Sequence, residues 1–385
     1  MKKVLVPKVR FKGFSEDWKE ERFDNIFFNI QEKNKNRYSI KEYISVASNT
    51  WKKDVNIKNK QTLWNYSVFR VGDIAYEGHT NEAFPFGRFV INRIGTGIIS
   101  NIFTVFRPKA DLSLDFSQYW VNNNLVMIGL LKRSSKSGIM MNSLTLENVN
   151  EEKISLPKYS EQQKIGKLLD QISNLITLEE IKINKLKQLK KTLLEKMFPE
   201  GNSKTPIIRF KGFEGEWKEE KLEYIAKVTN GKSNTSDNNK WGQYNLYIRS
   251  EEIYKSNKYI FDVEGVITVG DGNIGKIFHY VNGKFDLHQR CYLIYEFQNI
   301  WPKYFYYYFS QNFYKRAILM SYTATVNSIR MNTITDMDIM FPKELIEQQK
   351  IGDFFCKIDT LINLYQSKLK KLKKIKEALL QKMFV

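Results

Sequence analysis

The chain has 385 residues, and its 61 Lys and Arg against 42 Asp and Glu give a net charge of +19 at pH 7. That length allows two or three domains, each with its own core, and 42% hydrophobic with 14% aromatic content excludes a disordered chain. No apolar stretch reaches membrane-spanning length and the opening MKKVLVPKVRF has no secretory apolar run, so the expectation is a cytoplasmic protein that stays out of membranes.

The basic excess favours a polyanionic partner, nucleic acid first, through counterion release and steering. Cys291 and Cys356 are too few for a disulfide framework or a cysteine zinc site, and His79, His279 and His288 form no metal-binding spacing. No metal is expected.

In chain order, the first landmark is Pro7-Lys8-Val9-Arg10-Phe11-Lys12-Gly13-Phe14, followed by Trp18-Lys19-Glu20-Glu21. β-branched and aromatic runs at 43–46, 68–71 and 98–106, punctuated by Gly72-Asp73 and Gly95-Thr96-Gly97, predict a strand-rich head over 1–157. Pro157-Lys158 and Glu161-Gln162-Gln163-Lys164-Ile165-Gly166 then open a long helix over 158–198, ending on Lys196-Met197-Phe198. Its apolar residues recur every seven, with Ile165, Ile172, Leu186 and Leu193 in one row and Leu169, Ile176, Ile183 and Met197 in the other; Glu179 and Lys190 interrupt them. A polar, proline-bracketed linker covers 199–206.

Then the chain repeats itself. Pro206-Ile207-Ile208-Arg209-Phe210-Lys211-Gly212-Phe213 and Trp217-Lys218-Glu219-Glu220 restate the first landmarks at an offset of 199. A second strand-rich head over 207–342 includes runs at 265–269 and 290–295. Pro342-Lys343 and Glu347-Gln348-Gln349-Lys350-Ile351-Gly352 open a second helix over 343–385, and Lys382-Met383-Phe384 ends it; from Glu347 to Phe384 the offset is 186. Its rows are Ile351, Ile358, Tyr365, Leu372 and Leu379 beside Phe355, Ile362, Leu369 and Met383, with Lys376 at the position of Lys190. Each helix should be about 54 Å long at 1.5 Å per residue. The economical arrangement is an antiparallel coiled coil within one chain about a pseudo-two-fold axis; packing of each helix on its own head, or in a homodimer, is the competing one. The fold class expected is α+β, two mixed heads with two long helices.

Signals for catalysis are weak. No Pro-Pro dipeptide is present to build the base-holding loop of an amino-methyltransferase, and there is no P-loop. Gly270, Gly272 and Gly275 match Gly-x-Gly-x-x-Gly after a strand, but the aromatic and β-branched residues after them predict a turn between strands rather than a phosphate-holding helix start.

Polar and basic loop residues in the heads are the candidates for DNA contact: Asn49, Trp51, Lys52, Lys53, Arg70, Arg133, Ser134 and Lys136 in the first, and Lys232, Asn234, Asn239, Lys240, Arg249, Arg290, Asn327 and Arg330 in the second. Residues 132–137 are expected to be a loop, and the loops before Met141-Asn142-Ser143-Leu144 and Met331-Asn332-Thr333-Ile334 are expected to correspond between the copies.

Two copies of Pro-Lys leading to Glu-Gln-Gln-Lys-Ile-Gly at the head of long helices, each after a divergent domain, resemble the specificity subunits of Type I restriction-modification enzymes over nearly the whole chain. The resemblance implies that each head is a target-recognition domain reading half of a split site in double-stranded DNA, and that the helices are a conserved spacer. It further implies two methyltransferase subunits and motor-nuclease subunits as partners. No cofactor is then expected on this chain; S-adenosylmethionine, ATP and Mg belong to those partners. The rival reading is a non-catalytic coiled-coil adaptor that binds nucleic acid or acidic protein without sequence preference.

Overall fold

The computed structural model describes residues 5–52, 60–109, 111–321 and 328–385. Two compact units are present: Met1–Glu179 with Lys368–Val385, and Glu180–Ser367. Each long helix, Tyr159–Met197 or Leu345–Lys382, therefore gives its first half to one unit and its second half to the other.

In the first unit an antiparallel sheet runs in the order Phe27–Ile30, Thr104–Pro108, Ile74–Glu77, Arg88–Ile91. Phe23, Phe27, Phe89, Phe106, Phe116 and Trp120 are all buried beneath it, so the aromatic content is spent on the core. The run at 98–106, expected as one strand, is two. Gly97–Ile99 pairs with Ser67–Phe69, a turn closes from Phe103 N–H to the Ser100 carbonyl at 3.3 Å, and Thr104–Pro108 joins the main sheet. Residues 132–137 also differ from expectation: Asn124–Ser134 is helical, and Ser135–Lys136 pairs with Ser143–Leu144. Apolar Met127, Leu130 and Leu131 hold that helix on the core.

The second unit is built on a six-stranded sheet in the order Lys227–Asn230, Cys291–Tyr295, Phe261–Val269, Phe278–Leu287, Tyr244–Tyr247, Ile253–Ser256. The helix Pro302–Ser321 packs on it through Phe309 and Phe313, both edge-on to Phe278, and buries Tyr304 and Phe305 as well.

The repeated motifs turn out to be one framework used in both units. Arg10 donates to the Glu161 carboxylate through Nε at 2.7 Å and Nη2 at 2.8 Å; Arg209 does the same to Glu347 at 2.8 and 2.9 Å. Glu161 and Glu347 are fully enclosed, so each arginine neutralises a buried charge. Gln162 donates to the Pro157 carbonyl and accepts from Ser113 N–H, while Gln348 donates to the Pro342 carbonyl and accepts from Trp301 N–H. The glycine four residues on allows close approach. A Cβ on Gly166 would lie 2.4 Å from the Phe116 backbone nitrogen, and one on Gly352 2.8 Å from that of Tyr304. Strand Lys19–Arg22 pairs with Lys153–Leu156 as Lys218–Lys221 pairs with Asp338–Phe341.

The Lys-Met-Phe ends complete this framework crosswise. In the first unit Phe384 packs on Trp18 and Phe116, and Val9 N–H donates to the Lys382 carbonyl at 2.9 Å. In the second, Phe198 packs on Trp217 and Tyr304, and Ile208 N–H donates to the Lys196 carbonyl at 2.9 Å.

The long helices run antiparallel within each unit. In the first, Glu179 accepts from Lys368 at 2.8 Å while Met383 and Phe384 share a core with Ile165 and Leu169. In the second, Lys182 lies over the Tyr365 ring and Lys190 meets Asp359. Of the heptad positions, Ile165, Leu169, Ile172, Ile183 and Met197 on the first helix are buried, as are Ile351, Phe355, Ile358, Ile362 and Met383 on the second. Ile176, Leu186, Leu193, Leu369, Leu372 and Leu379 are half-buried.

One expected correspondence is corrected. The short helices Leu146–Glu151 and Met331–Thr335 precede equivalent strands, and Phe23 N–H and Leu222 N–H reach the carbonyls of Glu152 and Met337 respectively. Met331-Asn332-Thr333-Ile334 therefore matches Leu146-Glu147-Asn148-Val149, five residues beyond the Met-Asn match that sequence identity suggested. The shared Met-Asn letters misled because the framework fixes only the buried position, Val149 or Ile334, while Leu146 and Met331 at the start of each short helix are exposed.

Candidate nucleic-acid interface

In the second unit, backbone hydrogen bonds gather four loops. Ser233 N–H donates to Leu287 O, Gln289 N–H to Ser233 O, Gly270 N–H to Arg290 O and Ile329 N–H to Gly270 O, at 2.8–3.0 Å. Beneath them Asp286 is fully buried, accepting from Ser233 Oγ at 2.6 Å, Ser256 Oγ at 2.8 Å and Leu287 N–H at 2.9 Å. A buried carboxylate with three donors fixes the base of the loops.

On top of this base stand Arg249 and Arg290, which share Asp271: Arg290 Nη1 lies 2.7 Å and Arg249 Nη1 3.1 Å from its Oδ2. Two guanidiniums on one carboxylate leave a net positive site, and both arginines are about half exposed, at 62% for Arg290 and 45% for Arg249. Burial, with Arg249 next to it, holds the His288 imidazole below its ordinary range, and its Nδ1 accepts Arg290 N–H at 3.0 Å. Lys232 and Asn234 border the site, and Asn234 Oδ1 accepts from Gln289 Nε2 at 2.6 Å. Asn239 shapes the next turn, with Lys240 over the Trp241 ring; Arg330 is exposed at the start of Met331–Thr335. Asn327 lies outside the described residues, as does Lys53 in the first unit.

The glycine motif lies within this site, and its geometry is that of a hairpin. Gly270, Gly272 and Gly275 join the antiparallel strands Phe261–Val269 and Phe278–Leu287. Gly272 and Gly275 have φ of +72° and +65°, and a Cβ on Gly275 would meet Tyr314 Cα at 2.9 Å. Turn and packing requirements account for these glycines; no helix begins there to hold a phosphate.

The first unit brings only part of its candidates together. Asn49 adopts φ +50° and donates from Nδ2 to the Ile91 carbonyl at 2.9 Å. Trp51 lies over Gly95, where a Cβ would be 2.8 Å from its ring, and Lys52 extends over Tyr43. Arg70 follows the strand that pairs with Gly97 and donates to Glu32 at 2.8 Å. Glu32 also takes Arg37 and Arg107; burial would raise its pKa, but the hydrogen bonds from Arg70, Arg37 and Arg107 prevail and hold it at about 2. Arg133 is engaged by Glu152 at 2.7 Å, and Ser134 is buried, which keeps its hydroxyl from a surface ligand. Lys136 is exposed on the small hairpin. Sequence reasoning missed the connection between these two groups. Asn142 N–H donates to Gly78 O, Glu77 accepts from Arg88 Nε at 3.1 Å, and Arg88 Nη2 donates to Ala47 O. Trp241 and Asp271 were likewise missed, although an aromatic inside Asn-Asn-Lys-Trp-Gly was a readable signal.

No helix of the described residues is long and apolar enough to cross a membrane. A family model described as the Type I restriction modification DNA specificity domain matches twice, over residues 15–188 and 214–374. The Type I restriction enzyme EcoDI specificity subunit of Escherichia coli is 31% identical over 166 residues, 43% of this chain and 35% of that protein, so the match spans about a third of that relative's length. Among solved structures, the S subunit of a Type I restriction-modification system from M. genitalium superimposes with a TM-score of 0.65 at 14% identity, covering 99% of both chains. A chain from a structure describing complex assembly and conformational transition of the type I R-M system gives 0.52 at 15% identity, covering 95% of this chain and 97% of that one. With two family matches falling on the two copies of one framework, the chain belongs to the Type I restriction-modification DNA specificity family.

Proposed function

We propose that the chain is the DNA-recognition subunit of a Type I restriction-modification complex in the cytoplasm, each head reading one half of a bipartite site. The observation that carries the reading is the contrast between frame and surface. Arg10–Glu161 and Arg209–Glu347 repeat with the same bidentate geometry, while the exposed residues differ: Arg249 and Arg290 on Asp271 in one unit, Asn49, Trp51 and Lys52 beside Arg88 in the other. One scaffold with two dissimilar basic surfaces suits an asymmetric two-part target. Each head distinguishes a few base pairs at about 1 to 3 kcal/mol per mismatch, and joining two multiplies the discrimination.

In this reading the chain contributes no catalysis. Adenine methylation and restriction come from two methyltransferase subunits and motor-nuclease subunits, which carry S-adenosylmethionine, ATP and Mg. Exposed Leu175 and Leu178 on the first long helix, and Leu361 and Leu364 at the same positions of the second, support two equivalent docking sites. The DNA-facing residues proposed are Asn49, Trp51, Lys52, Lys136, Lys232, Asn234, Asn239, Lys240, Arg249, Arg290 and Arg330.

The test is to co-express the chain with its methyltransferase and map methylated adenines across a genome. One asymmetric motif of two parts is expected; scattered or absent methylation from a folded, assembled complex overturns the reading.

A further inference from the structure

Trp241 is 85% exposed, whereas Trp18, Trp120 and Trp217 are buried. A single exposed apolar residue is ordinary, but this one is held in place. Asn239 Oδ1 accepts its backbone N–H at 3.0 Å, and Gly242 N–H donates to the Asn239 carbonyl at 2.8 Å. A Cβ on Gly242 would lie 2.5 Å from the Ser256 backbone, so the turn is pressed onto the strand Ile253–Ser256 and leaves the indole in solvent. Ser256 is in turn bound to Asp286, the same carboxylate that fixes the base of the Arg249 and Arg290 site.

The surroundings are rings interleaved with cations. Lys240 Nζ is 5.8 Å from the indole, Tyr244 and Tyr259 have centroids 4.9 Å apart, and Lys284 is 4.7 Å above Tyr259. Lys255 and Lys258 are exposed nearby in sequence, the latter 3.5 Å from Asp237. The core of a protein interface is depleted in lysine, while a lysine-framed exposed ring is the chemistry that holds an unstacked base beside its phosphates.

We propose that the Trp241 indole stacks on a base at an opened base-pair step within the half-site read by the second unit. The inference rests on the DNA-recognition reading above and adds to it a residue and a mode of contact. Stacking accepts any base face, so the preference it confers is for a step that opens readily, a pyrimidine followed by a purine.

The experiment selects bound sequences from a random duplex pool with the full-length chain, its Trp241→Ala variant and its Trp241→Phe variant, then measures affinity for the selected duplex. Circular dichroism and melting should be unchanged, because the side chain supports no core. Trp241→Ala should weaken binding about tenfold or more and lose the pyrimidine–purine step from one half-site while retaining the other. Trp241→Phe should recover most of the loss. Unchanged selection and affinity in Trp241→Ala would overturn the proposal, as would equal impairment by Phe and Ala, which would assign an edge contact to the indole N–H. Wild-type selection without any consensus would instead overturn the recognition reading itself.

Discussion

Lys190 Nζ lies 2.6 and 2.7 Å from the two carboxylate oxygens of Asp359 and 5.1 Å from the Tyr307 ring, whose hydroxyl donates to the same carboxylate at 2.8 Å. The lysine that breaks the heptad pattern thus points inward and is compensated there. Lys376, at the equivalent position of the other helix, sits 5.3 Å over the Tyr119 ring, its pKa lowered by burial while Asp170 opposes the shift. Asp359→Ala should strand both Lys190 and Tyr307 and cost about 1–3 kcal/mol. Urea unfolding would measure this, and Lys190→Met, which keeps the apolar stem, should cost less.

Removing an arginine from a framework pair should be more severe. Arg10→Met leaves Glu161 enclosed without its partner, at an expected cost of about 3–5 kcal/mol. The double variant Arg10→Met/Glu161→Met should regain much of it, because no charge then remains buried. Equal destabilisation of the single and double variants in chemical denaturation would argue against that account.

Much of this framework was legible in the sequence because it is written twice. The helix openings, the seven-residue rows and the antiparallel pairing all follow from residues that must meet the same neighbours in both copies. Loop chemistry was less legible. Arg133 and Ser134 read as a basic loop, yet Met127, Leu130 and Leu131 extend the helix through them, and Glu152 lies far enough along the chain that no local pattern reveals it. Asp271 was invisible for the same reason: its role arises from Arg249 and Arg290 meeting across separate loops.

At the second-unit site, Arg290→Ala should weaken DNA binding across sequences and reduce the slope of log affinity against log salt by about 0.9, the value for one phosphate contact. Asp271→Asn should act oppositely, removing the charge that offsets both guanidiniums. Titrations at several salt concentrations would measure both; an unaltered slope in Arg290→Ala would remove it from the interface.

The arginine-held Glu32 predicts an acid dependence. Its folded pKa is depressed from 4.5 to about 2, so its contribution to stability is fully present above pH 4.5 and disappears as pH falls through 2. Glu32→Gln should lack that component. Melting temperatures of both proteins between pH 6 and 2 should converge at the acid end, and parallel curves would contradict the assignment.

Phe384 stacks against Phe116 and meets Trp18 edge-on, so the hydrophobic interior begun by the earliest residues is completed by some of the latest. During translation the amino-terminal head must therefore wait, with Trp18 lacking its cover, until the second long helix has left the ribosome. Cleavage that separates Met383 and Phe384 from the rest of the second long helix would return the finished head to that incomplete state, which makes this segment a sensitive point for quality control by cellular proteases.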